Sequence, residues 1–299
     1  CVEAVSRFQK VLIVADDRKR VEGLLAHLSA ERIEIVVCPS NDTWARDHGA
    51  ITVIEDNRAL LLDFIFNGWG LKFAANRDNL ITRTLHTWGV FDKTPMQQMR
   101  MVLEGGALET DGQGTLLSTT ECLLSPNRNP HLSLAETEAE LTRQLGVDRF
   151  LWLDNGFLAG DDTDSHIDTL ARFCSPDTIA YVRCTDETDE HYTELKLMEQ
   201  ELQSFCTREG KPYNLVPLPW PTACFAEDGH RLPATYANFL IINEAVLVPT
   251  YGVPEDGLAL GVIQTCFPNR EIIGIDCRLL IEQHGSLHCI SMQYPVFTS

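Results

Sequence analysis

The stretch KVLIVADDRKRVEGLLAHLSAERIEIVVC, residues 10–38, predicts the class of fold. It begins with a strand-sized apolar run at Lys10–Ala15 and ends with another at Ile33–Cys38. Between the two runs, Asp17–Leu28 has apolar residues at helical spacing, which is typical of an amphipathic helix. A strand, a helix and a strand in succession predict an α/β fold.

The same alternation continues along the chain. Two further strands, Ala50–Ile54 and Ala59–Phe66, are predicted around a polar turn, and Asp111-Gly112 is a strong hairpin signal. The remaining predictions are the helices Ser133–Leu145, Glu190–Thr207 and Glu255–Cys266, and the strands Val102–Glu109, Gly114–Ser118, Phe150–Leu153, Thr178–Val182, Asn214–Leu218, Asn238–Pro249, Glu271–Ile275 and Leu287–Met292. The chain has no glycine-rich nucleotide loop of the GxGxxG or GxxxxGK type. Periodicity fits either an open sheet, which is more common, or a cyclic arrangement of ββαβ modules.

The composition limits the partners of the protein. Among 299 residues, 43 are acidic and 24 are basic, which gives a formal net charge of −19. This charge repels phosphate backbones and anionic lipids but attracts small cations, so we expect neither nucleic acid nor membrane as a partner. An acidic surface is also common in soluble proteins and needs no ligand to explain it. The apolar runs are far shorter than the roughly 20 residues of a membrane span.

Ten cysteines are spread singly, without a CxxC pair. A chain of this length needs no disulfide scaffold, so we interpret them as reduced thiols and predict a cytoplasmic location. The first residue is Cys1 rather than Met, and no basic and apolar leader follows it. We therefore expect a chain that is processed, trimmed or numbered from an internal position.

Reactive side chains are concentrated first in Gly285-Ser-Leu-His-Cys289. A thiol beside His288, after a glycine and at the start of a predicted strand, could present a thiolate to a substrate. By itself this signal is weak, because most cysteines are small buried hydrophobic residues.

A second segment, Asp161-Asp-Thr-Asp-Ser-His-Ile-Asp168, combines four aspartates with a histidine. His166 and Asp168 point to the same side if the segment is extended, which pairs a base with a carboxylate. A solvated acidic loop and a metal site are the alternatives, because Asp and His also bind hard cations and zinc. The segment lacks the glycine and glutamate of an EF-hand, and the chain has no HExxH motif.

Two more segments place charge beside aromatic residues or glycine. In Asn41-Asp-Thr-Trp-Ala-Arg-Asp47, Trp44 and Asp47 lie ahead of a predicted strand, which suits the binding of a cation. A local ion pair between Arg46 and an aspartate is the simpler interpretation. Glu104 precedes two glycines, where the backbone can approach a ligand, but it could equally be an ordinary carboxylate at a strand end.

Taken together and in order, the four segments resemble one family, the agmatine deiminases and bacterial-type (Porphyromonas-type) peptidylarginine deiminases of the guanidine-modifying superfamily. The family pattern is ND-x-W-x-RD, EGG followed by a DG hairpin and a TEECLLNPNRNP-like stretch, DxTDGHxD, and GGGxxHC. The matching residues here are Asn41–Asp47, Glu104–Arg128, Asp162–Asp168 and Gly285–Cys289. Four motifs in one order over most of the chain make the resemblance specific.

The resemblance implies a fold and a reaction. The fold would be a five-bladed cyclic α/β propeller, or pentein, built from ββαβ modules, in place of the open sheet. Residues 1–299 would form a single deiminase domain that lacks some N-terminal family sequence, so that one blade is incomplete. The reaction would be hydrolytic deimination of a small cationic guanidinium substrate, most simply agmatine to N-carbamoylputrescine and ammonia in polyamine metabolism. No metal and no organic cofactor would be required.

The resemblance also assigns roles to individual residues. It implies a nucleophile, a general acid and base, two guanidinium anchors, a further catalytic carboxylate and an aromatic pocket wall, which are respectively Cys289, His166, Asp47 with Asp168, Glu104, and Trp44. Carboxylates that accept paired N–H bonds are well suited to a planar guanidinium cation. A thiolate that attacks its central carbon would form a covalent amidino intermediate, which water then hydrolyses.

The chain departs from the family pattern at two places, which leaves alternatives open. Ser165 stands for the glycine of TDGH, and His284-Gly285-Ser286 stands for the triple glycine before the nucleophile. The same chemistry on peptidylarginine or free arginine is the nearest alternative. An amidinotransferase, which passes the amidino group to an amine, and an inactive member that binds a cation are the others. A homo-oligomer is compatible with the sequence.

Overall fold

The structure is a computed structural model that describes residues 1–295, and its strands form five small sheets. One sheet has two parallel strands, β1 (Val11–Ala15) and β2 (Ile33–Val37). The other four have three strands each: β3 (Ile51–Glu55), β4 (Arg58–Ile65) and β5 (Met96–Val102); β6 (Glu109–Thr110), β7 (Thr115–Thr119) and β8 (Arg149–Leu153); β9 (Ala171–Ser175), β10 (Thr178–Val182) and β11 (Asn214–Leu218); β12 (Leu240–Ile242), β13 (Ala245–Thr250) and β14 (Glu271–Asp276).

Helices connect these strands and flank the sheets. They are α1 (Val2–Ser6), α2 (Arg18–Leu24), α3 (Ala45–His48), α4 (Gly68–Leu71), α5 (Asp78–Thr87), α6 (Thr120–Leu123), α7 (Leu134–Leu145), α8 (Tyr192–Ser204), α9 (Asp256–Cys266) and α10 (Arg278–Ile281), with 3-10 turns at Ala30–Arg32, Gly105–Ala107 and Ile167–Thr169. The predicted helix Ser133–Leu145 is confirmed as α7. Ser133 and Glu136 form a capping box at its start, and Gly146 ends it in the left-handed conformation.

Each three-stranded sheet repeats one arrangement. The middle strand pairs antiparallel with the strand before it and parallel with the strand after it. The parallel connection passes through a helix, as α8 does between β10 and β11 and α9 does between β13 and β14. Parallel neighbours require such a crossover. The predicted α/β class and the ββαβ alternation are therefore confirmed.

Three predicted strands are wrong. Residues 102–109 are not one strand, because β5 ends at Val102 and a 3-10 turn follows Glu104. Residues 238–249 are a hairpin, β12 and β13, whose turn contains Glu244 at φ +61°. Residues 287–292 are not a strand, because the His288 N–H group donates to the Asn238 side chain at 2.8 Å instead of to a neighbouring strand.

The lengths of the helices follow the burial of their side chains more closely than the apolar periodicity of the sequence. The predicted helix Asp17–Leu28 ends at Leu24, and none of the α2 residues is buried, so packing does not extend it. The sequence missed α5, in which Ile81 and Leu85 are its buried apolar residues, because two such positions make a weak periodic signal. Strands β5 and β9 were also missed.

The largest apolar core lies among the strands and helices of the C-terminal half, around the fully buried Tyr236 and Phe239. A separate small cluster packs Trp44, Phe66 and Trp69 against Cys289. This cluster forms one wall of the site described below. Within residues 1–295, no helix has the length and apolar character needed to cross a membrane.

Candidate active site

The four segments singled out in the sequence meet in one buried site. Three of them lie in the stretches that join one sheet to the next along the chain: Asp47 between β2 and β3, Glu104 between β5 and β6, and His166 with Asp168 between β8 and β9. Cys289 follows the last strand, β14. A sixth residue, Asn238 between β11 and β12, was not predicted as a site residue. All six side chains are buried.

Cys289 is held next to a carboxylate. Its Sγ lies 3.4 Å from Asn238 Oδ1 and 3.9 Å from Asp168 Oδ2. Burial, followed by the negative charges of Asp168 and Asp47, raises the pKa of the thiol well above its ordinary value. The predicted strand start at Cys289 is wrong, because residues 287–290 form a turn, and the thiol is buried, with 7% of the residue exposed.

His166 lies between two carboxylates. Its Nδ1 is 3.6 Å from Asp47 Oδ1 and its Nε2 is 3.7 Å from Glu104 Oε2, and neither ring nitrogen has a hydrogen-bond partner among the described residues. Burial alone would lower the pKa of His166, but the side chains of Asp47, Cys122 and Glu104 outweigh it and raise that pKa well above its ordinary value. The ring is therefore in its positively charged imidazolium form at pH 7 and can donate a proton.

Asp47 is fixed by two N–H donors. Trp69 Nε1 donates to its Oδ2 at 3.0 Å, and the backbone N–H group of Gly106 donates to its Oδ1 at 3.0 Å. Trp69 belongs to α4, in which all four residues have positive φ, so α4 is one left-handed turn. The sequence gave no indication that Trp69 would reach Asp47.

Asp168 is the second buried carboxylate. His288 Nδ1 lies 2.7 Å from its Oδ2, whereas its Oδ1 has no partner within residues 1–295. Burial raises the pKa of Asp168 to about 7, with Asp47 adding to the shift and His166 and the buried arginines opposing it. His166 and Asp168 do not lie on one extended strand, because residues 167–169 form a 3-10 turn, yet both face the site.

Glu104 is clamped by an arginine. Arg128 Nε donates to Glu104 Oε2 at 2.7 Å, and its Nη1 donates to Asp164 Oδ2 at 2.6 Å. Burial would raise the pKa of Glu104, but His166 and Arg128 hold it below its usual value. Arg128 lies inside the TEECLLNPNRNP-like stretch, but its sequence gave no sign that it would pair with Glu104.

Two glycines keep the site open. A Cβ on Gly106 would lie 2.5 Å from His166 Nδ1 and 2.8 Å from Asp47 Oδ1. Gly285 packs against the Trp44 ring, and a Cβ on Gly285 would lie 2.3 Å from that ring. Glycine at both positions therefore has a steric reason, and Trp44 packs in the same apolar cluster as Cys289.

The two departures from the family pattern fall on left-handed backbone. Ser165 has φ +62° and His284 has φ +66°, in the region that favours glycine. Contacts with distant segments accompany both residues: Ser165 Oγ donates to Glu121 at 3.0 Å, and His284 Nδ1 lies 2.8 Å from the Gly160 carbonyl oxygen.

A metal ion has one candidate set of ligands. Glu104, Cys122 and His166 offer ligand atoms within 4.8 Å of one another. Arg128 already donates to Glu104 Oε2, and its positive charge opposes a cation there. In the acidic loop, Asp161 accepts hydrogen bonds from Thr163 and Ser165. These contacts favour the prediction of a site without metal.

The site thus combines a buried thiol, a protonated imidazole and buried carboxylates. Comparison with known proteins identifies the family of the chain. The family model for Porphyromonas-type peptidyl-arginine deiminases matches residues 1–295. This chain belongs to that family.

Three relatives illustrate the similarity. An agmatine deiminase from Stutzerimonas stutzeri is 32% identical, over 98% of this chain and 85% of that protein. A candidate arginine deiminase from Porphyromonas gingivalis has 55% identity and a TM-score of 0.95, covering 98% of this chain and 87% of that one. The C. jejuni agmatine deiminase, solved as a cysteine-to-serine variant with substrate bound, has 41% identity and a TM-score of 0.89, covering 96% and 83%.

Proposed function

We propose that the protein is a hydrolase that removes ammonia from a guanidinium group, with agmatine as substrate and N-carbamoylputrescine as the other product. The observation that carries this proposal is the buried cluster in which Cys289 Sγ lies 3.9 Å from Asp168 Oδ2 and His166 Nδ1 lies 3.6 Å from Asp47 Oδ1. Relatives with the name agmatine deiminase, at 32% and 41% identity, support the choice of agmatine.

In this mechanism the carboxylates bind the substrate. Asp168 Oδ1, which has no partner among the described residues, accepts N–H bonds from the guanidinium group, and Asp47 lies on its other side. The positive charge of the substrate offsets the two charges that raise the pKa of Cys289. Substrate binding therefore favours the thiolate at the moment when the central carbon is in reach.

The thiolate then adds to the central carbon of the guanidinium group, and His166 gives its proton to the departing ammonia. The covalent amidino intermediate on Cys289 is attacked by water, from which His166 takes a proton. Cleavage of the C–S bond releases the ureido product and restores the thiol. Glu104 supports His166 through its charge, at 3.7 Å.

We also propose that the five sheets close into a cyclic propeller. Each segment that joins one sheet to the next along the chain contributes a residue to the site. A ring of modules would bring these equivalent segments to one central axis, whereas an open row of sheets would spread them apart. The backbone N–H group of Arg46 donates to the backbone carbonyl oxygen of Cys289 at 3.0 Å. This bond joins the segment before β3 to the segment after β14.

Several expectations stay predictions. They are a single domain over residues 1–299, a cytoplasmic location, the absence of a cofactor, and the possibility of a homo-oligomer. The net charge of −19 remains the basis for expecting small cations, rather than nucleic acid or membranes, as partners.

A second substrate class has its own support. The family model is that of peptidyl-arginine deiminases, and the P. gingivalis protein at 55% identity is a candidate arginine deiminase. The same carboxylates would grip the side chain of peptidyl or free arginine, so the chemistry near Cys289 does not separate these substrates.

The test is ammonia release from agmatine, free arginine and a blocked peptidyl-arginine, with the unaltered protein and with Cys289→Ala. We expect turnover of agmatine that disappears in the variant. Turnover of either arginine substrate instead would transfer the assignment to the second class. Ammonia release only when an amine acceptor is added would indicate an amidinotransferase, and no reaction with any substrate would leave a cation-binding protein.

A further inference from the structure

A chain of hydrogen bonds leads from Asp168 away from the site. Asp168 Oδ2 accepts from His288 Nδ1 at 2.7 Å, and His288 Nε2 lies 3.2 Å from Arg172 Nη2. Arg172 Nε donates to Glu109 Oε2 at 2.6 Å. All four residues are buried, so these contacts are shielded from water.

Arg172 determines which nitrogen of His288 carries the proton. A guanidinium group stays charged and only donates hydrogen bonds. Nε2 of His288 must therefore accept, and the proton of the neutral ring is on Nδ1, which faces Asp168. Burial and the charges of Arg172 and Arg46 lower the pKa of His288 well below its ordinary value, so the ring does not take a second proton.

Arg172 cannot turn away from the imidazole. Its Nη1 donates to the carbonyl oxygens of Ala237 at 3.2 Å and Phe239 at 2.8 Å, and its guanidinium group lies 4.8 Å from the centre of the Phe239 ring. The His288 backbone is also fixed, because its N–H group donates to Asn238 Oδ1 at 2.8 Å. Further contacts thus hold both partners of the Arg172–His288 bond in place.

The consequence falls on the carboxylate of Asp168. One of its oxygens is occupied by His288, whereas Oδ1 has no partner in the described part of the chain. We propose that His288, held in its Nδ1–H tautomer by Arg172, is a positioning residue that fixes the Asp168 carboxylate so that its free oxygen receives the guanidinium group. This inference rests on the proposed function and deepens it, because it assigns a role to the residue next to the nucleophile.

The His288 donor also stabilises the charged form of Asp168. Other charged or titratable groups around that carboxylate are Asp47, Arg46, His166, Arg172 and Cys289. Their influence remains when the imidazole is removed. Loss of the His288 donor would therefore raise the pKa of Asp168 further and move the acid limb of kcat/KM to higher pH.

The first experiment compares His288→Leu with His288→Asn in the full chain. The asparagine keeps an N–H donor near the position of Nδ1, whereas the leucine removes it. We expect His288→Leu to raise KM for agmatine roughly 10- to 100-fold, the size of one lost hydrogen bond to a buried charge, with a smaller change in kcat. His288→Asn should recover most of the loss and the normal acid limb. Equal KM values and equal pH profiles for two folded variants would overturn the proposal.

The second experiment does not depend on turnover. Nitrogen-15 NMR of labelled histidine reports the tautomer of each ring, and the His288 signal is the one that disappears in His288→Asn. A neutral Nδ1–H ring that does not titrate while the protein stays folded supports the proposal. An Nε2–H ring, or a ring that becomes protonated near neutral pH, overturns it. If no guanidinium compound is a substrate, the proposed function fails. The NMR spectrum still determines the tautomer of His288 in that case.

Discussion

Trp69 Nε1 donates a hydrogen bond of 3.0 Å to Asp47 Oδ2 from a left-handed turn. Left-handed backbone costs roughly 1–2 kcal/mol per residue that is not glycine, so this turn is strained. Two of its four residues, Gly68 and Gly70, reduce that cost. The strain serves to bring an indole donor to a carboxylate that would otherwise lack its second partner.

Replacing Trp69 with phenylalanine should weaken substrate binding. The ring is kept but the donor is lost, so Asp47 is free to turn and KM for agmatine should rise by roughly tenfold or more. Steady-state kinetics gives the measurement. Trp88→Phe, at a tryptophan that is 55% exposed, is the matched control and should leave KM unchanged. Equal kinetics for the two variants would contradict the role of the indole donor.

Replacing Arg128 with methionine should destabilise the fold. The change removes the arginine that donates to the buried Glu104 carboxylate, and breaking such a buried pair costs about 3–5 kcal/mol. Denaturant unfolding measures the loss. Arg143→Met removes an arginine of similar length from a largely exposed pair with Glu140 and should cost about 1 kcal/mol or less. If Arg128→Met lowered the free energy of unfolding as little as the control does, the Arg128–Glu104 ion pair would not be important for stability.

Gly106→Ala should abolish most turnover without unfolding the protein. The added methyl group would meet the His166 ring at 2.5 Å and the Asp47 carboxylate at 2.8 Å, so both must move out of position. We expect a loss of roughly 100-fold or more in kcat/KM. The control is Gly261→Ala within α9, where a Cβ meets nothing within 4 Å and where alanine should stabilise the helix by about 0.5–1 kcal/mol. Normal kinetics in Gly106→Ala would be incompatible with this geometry.

The pH dependence of activity should follow Asp168. Because burial raises its pKa from 3.8 to about 7, the folded protein keeps this proton at pH values where the unfolded chain has lost it. Its contribution to stability is full below pH 3.8 and is lost as the pH rises to about 7. Binding of a guanidinium cation needs the anion, so kcat/KM for agmatine should have the opposite slope and rise with pH up to about 7. A flat profile on the acid side of that value would count against the raised pKa.

Replacing Asp168 should change the alkylation rate of Cys289 and the turnover rate in opposite directions. Asp168→Asn removes one of the charges that raise the pKa of the thiol, so alkylation by iodoacetamide should become faster at mildly alkaline pH while turnover is lost. Each unit by which the pKa falls gives roughly a tenfold gain in thiolate. Peptide mass spectrometry separates Cys289 from the nine other cysteines. Slower alkylation in the variant would mean that Asp168 activates the thiol instead of restraining it.

The sequence predicted the site better than the strands around it. Its four motifs name residues that the structure brings together, because each motif holds reactive groups whose chemistry is readable without coordinates. The strands at residues 102–109 and 287–292 were wrong for a related reason. There the backbone is shaped by the site itself: a Cβ on Gly105 would lie 2.3 Å from the Arg46 carbonyl oxygen, and Asn238 binds the N–H group of His288. Apolar periodicity carries no record of such contacts.

The residues that sequence reasoning missed act through partners far away in the chain. Arg128, Trp69 and Asn238 each bind a site residue. Trp69 and Asn238 lie in no motif, and the motif that contains Arg128 does not show that its partner is Glu104. His288 was noted only as a neighbour of Cys289. Its tautomer depends on Arg172, and that dependence becomes visible only once the two residues are seen side by side.

The bond between the Arg46 N–H group and the Cys289 carbonyl oxygen has a consequence for how the protein is made. Contacts between residues so distant along the chain form late in folding, because the entropy of closing the loop must be overcome first. A ribosome that has synthesised the segments of Asp47, Glu104 and His166 has therefore not yet completed the proposed site, since Cys289 is synthesised after them. On the proposed mechanism, activity appears only when the Cys289 segment has packed against the Arg46 segment, which would make turnover a sensitive reporter of folding.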